Sequence, residues 1–241
     1  MQPDPQWTAQ DLAGTVNAAG VWWDLATAGI DPTTRGLPAL RRRIGSLVAE
    51  AGRVDADVGV RGKAGTALVA ALSDAGRLAH TAGLGPDRQL GRVAGLHVSH
   101  GGVPKMPLEA VDIGWRGLAG DRQAARRHHG RLWQAVCLWS AETIRMLVAE
   151  GNPVFPGAAG ENVTVAGVHW ASLRPGSRLL VGGAVLEITT PALPCSKNAR
   201  WFAGGDFNRM HHERQPGVSR LYALVVRPGP VVLGEEVVVE P

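Results

Sequence analysis

The sequence predicts a mainly β protein, a closed or nearly closed barrel with one or two attached helices, preceded by a small all-helical segment. Three observations carry this expectation. From Gly91 onward, apolar residues fall into many short alternating or β-branched runs separated by Gly/Pro turns at irregular spacing, which is a barrel pattern. Before about residue 88 the chain is instead rich in Ala, Leu, Gly and Arg, with helical spacing and almost no alternation. A length of 241 residues at 45% hydrophobic content suffices for one large domain, or a domain with a small accessory unit. The expected division is a helical extension over 1–88 and a barrel domain over 89–241.

Within the first part, Thr8 is placed to cap a helix. Leu40, Ile44, Leu47 and Val48 mark a second helix over 37–51, and Leu68, Val69, Leu72 and Leu78 a third over 65–84. Asp31-Pro32, Gly36-Leu37-Pro38 and Gly83-Leu-Gly-Pro86 separate these units. Arg41-Arg42-Arg43 reads as a solvated helix face, since no aromatic or second basic cluster accompanies it. In the second part, strands are expected over 92–99, 110–113, 134–139, 162–165, 178–181, 184–189, 220–227 and 236–240. A helix over 140–151 begins at Ser140 as cap and carries Ile144, Leu147 and Val148 on one face.

The same composition bounds function. No apolar run approaches the roughly 20 residues that span a bilayer, and the start lacks the basic and apolar stretches of a secretory signal, so a cytoplasmic protein without membrane contact is expected. Two cysteines, Cys137 and Cys195, are too few for a disulfide framework. A net charge of +4 permits anionic small molecules but lacks the concentrated basic face of a nucleic-acid binder, and no nucleic-acid partner is expected.

Four stretches could carry chemistry. Gly117-Leu-Ala-Gly-Asp-Arg-Gln-Ala-Ala-Arg-Arg-His-His-Gly-Arg131 concentrates four arginines and two histidines in one loop, where glycines let the backbone approach a ligand and guanidinium groups grip phosphate; a solvated loop is the alternative. Gly160-Glu161-Asn162 suits a sharp turn into a strand, with the Asn162 amide offering donor and acceptor to a heterocycle edge. Leu193-Pro-Cys195-Ser-Lys197 follows a strand or tight hairpin, Arg178 to Thr190, that Pro191 and Pro194 should end. Cys195 then lies ahead of a helical run with Lys197 and Arg200 nearby, which favours a thiolate nucleophile or metal ligand; a small core residue is the other reading. Asp206 to Tyr222 is a further basic loop feeding a strand, and Cys137, inside an apolar run, reads as core.

Gly117-Leu-Ala-Gly-Asp-Arg-Gln, His129-Gly130, Ala135-Val-Cys-Leu-Trp-Ser140, Gly160-Glu-Asn-Val163, Pro194-Cys195 and Gly217-Val-Ser-Arg-Leu-Tyr222, in this order, resemble the MOSC domain, the module named for the C-terminal part of molybdenum cofactor sulfurases. The resemblance runs from about Arg92 to Val239 and implies a barrel related to the pyruvate kinase β-barrel, molybdenum and pyridoxal phosphate binding among the family's properties, and Cys195 as protein ligand to molybdenum in a molybdenum cofactor (molybdopterin). The chain looks most like the stand-alone bacterial branch that reduces N-hydroxylated compounds such as hydroxylaminopurines, departing from it in lacking a second glycine after His129-Gly130 and in placing its helices before the barrel.

On that resemblance Arg122, Arg126, Arg127 and Lys197 would hold the cofactor phosphate and Asn162 the pterin edge, with Gln123 and Asn198 beside them. His129 would supply a hydrogen bond or a proton to the catalytic centre at Cys195. The implied reaction passes two electrons to an N–O bond of a small-molecule substrate. No ferredoxin-type cysteine array and no Gly-x-Gly-x-x-Gly after a strand is present, so electrons are expected from a separate donor protein. A carrier of cofactor or sulfur, with a persulfide on Cys195, is one alternative and a barrel kept as a binding module without redox turnover is another, and a homodimer is left open.

Overall fold

A computed structural model describes residues 86–123 and 132–241. The helices expected over 8–84, and Arg126, Arg127 and His129, lie outside the described residues. The strands run β1 (Gln89–Val98), β2 (Met106–Leu108), β3 (Ala110–Gly114), β4 (Gly117–Leu118), β5 (Val136–Ser140), β6 (Val163–Ala166), β7 (Arg178–Val181), β8 (Ala184–Pro191), β9 (Leu221–Arg227), β10 (Gly229–Val232) and β11 (Glu236–Val239); among the described residues one α-helix, α1 (Ala141–Ala149), follows β5. Around the main sheet the order is β11, β7, β8, β9, β5, β6, β1, and β1 pairs back with β11. The expected barrel is therefore a closed one of seven strands. β2 hangs on the far end of β1, and β10, β3 and β4 form a small separate sheet.

Two layers of apolar packing hold it. Inside the barrel lie residues such as Val93, Leu96, Leu138, Val163, Leu186 and Val237, all 1% exposed or less. A second layer sits outside, where Trp139, Ile144 and Leu147 meet Ala158, Phe202 and Met210. β5 is buried along its whole length because it serves both layers: Val136 and Leu138 join the inner cluster while Trp139 joins the outer one. That two-sided burial suits its parallel pairing with β6, which needs a crossover, and α1 supplies the first leg of it. Ser140 caps α1 as expected, its Oγ accepting the Thr143 N–H at 3.1 Å. Fully burying Ile144 and Leu147 contributes about 1.5–3 kcal/mol each toward holding the helix on the wall.

Several boundaries differ from the sequence expectation. β2, β4 and β10 are additional, each two to four residues long. β8 continues to Pro191, which pairs with Leu221 at the end of the ladder, where a residue without an N–H is tolerated. The run after Cys195 is a 3₁₀ helix over Ser196–Trp201 rather than an α-helix, and the Cys195 side chain makes no capping hydrogen bond to it. The field expected of an α-helix N-terminus therefore has only this short turn behind it. Among the described residues no helix is long and apolar enough to cross a membrane.

Candidate functional site

A cleft opens on the outer face of the barrel wall formed by β5 and β9, beneath the 3₁₀ segment that follows β8. Cys137 and Tyr222 are direct partners across β5 and β9 and pack with Ala192 to form its floor. Burial pushes the Cys137 thiol up to about 11, only partly offset by the nearby Arg220 charge, so it stays a protonated core thiol. Cys195 lies at the rim, half-buried, in extended conformation. Of the two sulfurs that reach the cleft, Cys195 is the one open to a ligand.

One side of the cleft is built around Asp121. Its Oδ1 accepts the Ser99 N–H at 2.8 Å, and its Oδ2 accepts from the Asn162 amide at 2.9 Å and from the Lys105 ammonium. Asp121 and Lys105 form a buried ion pair, 6% and 9% exposed. Asn162 was expected to offer its amide to a ligand. In the structure its Oδ1 instead accepts the Cys137 N–H at 3.1 Å and its Nδ2 also reaches the His97 carbonyl at 3.2 Å, so the side chain braces β5, β1 and the Asp121 loop together. It lines the cleft as part of the wall. Gly117 opens this loop because a Cβ there would stand 2.3 Å from the Ala135 carbonyl oxygen, at a φ of +108°.

The opposite side is fixed by tryptophans. Trp139 Nε1 donates to the Val218 carbonyl at 2.9 Å and Trp170 Nε1 to the Ser219 carbonyl at 2.8 Å, which holds the strand entry that carries Arg220. Arg220 is 6% exposed and donates to the carbonyls of Ala159 and Leu193, while its Nε has no partner among the described residues. Two further buried atoms of cleft residues, Gln134 Oε1 and Asn198 Oδ1, also lack partners among the described residues. Buried polar groups are rarely left so, and three of them around one cleft mark a place for a polar ligand with both donors and acceptors. Arg122 and Lys197 line the same cleft from exposed positions, and Gln123 is half-buried beside them.

Cys195, Arg122, Gln123, Asn162, Lys197 and Asn198 all line this one cleft. Lys105, Gln134 and Arg220 join them without having been singled out as site residues. Behind the wall sit two more ionisable groups. Glu161 is fully buried, its Oε1 accepting the Gly157 N–H at 2.6 Å, and burial raises its pKa. His97 is 3% exposed and burial, helped by Lys105, lowers it to about 4, so it is neutral near pH 7.

Residues 125–238 match the family model of the MOSC domain. Over this stretch, just under half of its length, the chain is similar to MOSC domains. The match begins inside the arginine loop and runs from β5 into β11, so the whole Cys195 side of the cleft belongs to it. The chain is also 30% identical over 135 residues to YflK of Bacillus subtilis, described as an uncharacterized protein, covering 55% of this chain and 60% of YflK. It thus spans about 60% of that relative's length. Among solved structures it resembles the YuaD protein of Bacillus subtilis, with a TM-score of 0.50 and 22% identity over 64% of this chain and 97% of YuaD. YiiM of Geobacillus stearothermophilus gives a TM-score of 0.49 and 22% identity over 63% of this chain and 75% of YiiM. The likeness to YuaD bears on the fold alone. MOSC domains as a family are associated with molybdenum cofactor binding, and many are enzymes.

Proposed function

We propose that this protein holds a molybdenum cofactor through Cys195 and reduces N-hydroxylated small molecules with electrons from a separate donor protein. The observation that carries the proposal is the convergence on one cleft of the accessible Cys195 sulfur with three unpartnered buried polar atoms, Gln134 Oε1, Asn198 Oδ1 and Arg220 Nε. These residues fit the group. Cys195 would bind molybdenum through its thiolate, a soft ligand suited to that metal. Gln134 and Asn198 would accept hydrogen bonds from N–H groups of the pterin, and Arg220 would donate one. Arg122 and Lys197 would hold the phosphate from the solvent side, and Arg126 and Arg127, close to Arg122 in sequence, are further candidates for the same group. When bound, the cofactor supplies a two-electron redox centre that a protein side chain lacks.

The overall conversion consumes two electrons and two protons, turning an N–OH group into N–H and water. The protein's part is to bind and orient the reactants at the rim, with His129 as the proton-handling candidate in the arginine loop. Pyridoxal phosphate fits the residues less well, because Lys105 is tied to Asp121 and Lys197 stands exposed at the edge. The half-exposed rim position of Cys195 also suits transfer of a persulfide sulfur to a partner protein, which is the second reading. Metal analysis of full-length protein and Cys195→Ser tests the first. One molybdenum per chain in the parent and none in the variant, together with reduction of an N-hydroxy base by dye-reduced parent, is the expected result. Molybdenum retained by the variant overturns the ligand assignment; molybdenum present without turnover favours the carrier.

A further inference from the structure

The loop that leads into β9 carries a second cluster, away from the residues assigned to the cofactor. The 3₁₀ turn Phe207–Met210 is anchored by Met210 in the outer apolar layer, and His211, His212 and Glu213 follow it directly. His212 is 2% exposed, yet neither ring nitrogen has a hydrogen-bond partner among the described residues. Its Nε2 lies 3.9 Å from Glu213 Oε1, too far for a hydrogen bond. Two ligands of one tetrahedral zinc, bound at about 2.0–2.2 Å each, stand roughly 3.4 Å apart, so this gap is close to one that an ion would bridge. The His211 ring stacks on His212 at 4.8 Å, and its Nδ1 accepts the Glu213 backbone N–H at 3.2 Å, which fixes the ring over the same spot. One ligand atom from each of the three residues lies within 4.8 Å of the other two.

The electrostatics agree with the geometry. Arg209 is matched by Glu150 at 2.8 Å and Arg214 by Asp206 at 2.8 Å, so the flanking cations are already compensated. Glu213 has no arginine or lysine partner among the described residues and is 55% exposed, giving an ion a way in from solvent.

We propose that His211, His212 and Glu213 form a binding site for a divalent transition metal of the zinc type, distinct from the thiolate site at Cys195. Two imidazoles and a carboxylate match zinc's ligand preference and leave a fourth position for water. Rotation of the exposed Glu213 side chain closes the remaining separation. A bound ion would brace the segment between Met210 and the Ser219–Arg220 entry to the cleft.

The test is a calorimetric titration of the full chain with Zn²⁺ in the Cys195→Ser background, which removes the accessible thiolate. The expected result is one zinc equivalent whose affinity falls at least tenfold in Glu213→Gln, in His211→Gln and in His212→Gln, with Co²⁺ substitution losing its visible absorption bands in the same variants. Glu213→Gln changes an exposed side chain, so it remains informative if the buried His212 variant fails to fold. Zinc affinity within twofold of the parent in both Glu213→Gln and His211→Gln overturns the site.

Discussion

Replacing Asp121 with Ala should be among the most damaging single changes near the cleft. The variant leaves the Lys105 ammonium, 9% exposed, without its counter-charge, and breaking one partner out of such a buried pair costs about 3–5 kcal/mol. It also strands the Ser99 N–H and one arm of the Asn162 amide, both of which donate to Asp121. Lys105→Met alone is milder, about 1–3 kcal/mol, because the carboxylate keeps those two donors. The double variant should then be far less unstable than the sum of the singles, with a coupling of about 2 kcal/mol or more, since the stranded charge is gone. Urea unfolding of the parent, the two singles and the double gives the cycle directly. Additivity within about 0.5 kcal/mol would show that the pair does not organise this wall, and the bracing role assigned to Asn162 would fall with it.

Cys137→Ser should spare cofactor content but lower stability by about 1–3 kcal/mol, since the new hydroxyl has no partner in the floor of the cleft; a thermal melt with metal analysis separates the two effects. Replacing Arg122, Arg126, Arg127 or Lys197 singly by Ala should weaken cofactor binding by roughly ten- to a hundredfold each, measured as retained molybdenum on dilution, because each lost charge-assisted hydrogen bond is worth about 1.5–3 kcal/mol. Stability should also depend on His97. Its folded pKa is lowered to about 4 from an ordinary 6.5, so between those values the unfolded chain binds a proton that the folded chain does not, and stability falls as pH drops through that window. His97→Gln should flatten this slope in denaturation midpoints measured from pH 7 to 4. Glu161 acts in the opposite sense, its raised pKa favouring the folded state as pH falls, but that contribution is common to both proteins and cancels in the comparison.

What could be read from the chain followed the strength of the local signal. Alternation in 92–98 and the apolar runs of 136–140 and 184–189 are long enough to announce strands, and Ser140 announces its helix by a capping geometry contained in four residues. β2, β4 and β10 are too short to show periodicity, and two of them contain a proline, Pro107 and Pro230; only pairing across the fold makes them strands. The site divides in the same way. Cys195, Asn162 and the arginine loop stood out because their residue types carry chemistry within a recognisable order of motifs. Lys105 sits in a Gly/Pro loop with no signal of its own, and its importance comes from Asp121, sixteen positions on, being folded against it. The full use of the Asn162 amide inside the wall was likewise invisible, because it depends on where the Cys137 N–H and the His97 carbonyl arrive in three dimensions.

The barrel closes where β1 meets β11, with Gln89 opposite Val239 and Arg92 opposite Glu236. A ring whose seam joins the two sequence-remote ends of the domain cannot be completed on a ribosome until nearly all of it has emerged. Until then β1 offers an open edge, ready to pair with whatever strand arrives first. Closing so distant a contact also makes the topology inherently slow to assemble. The seam is therefore the natural place for chaperone dependence, and for strand exchange between two copies when expression outruns folding.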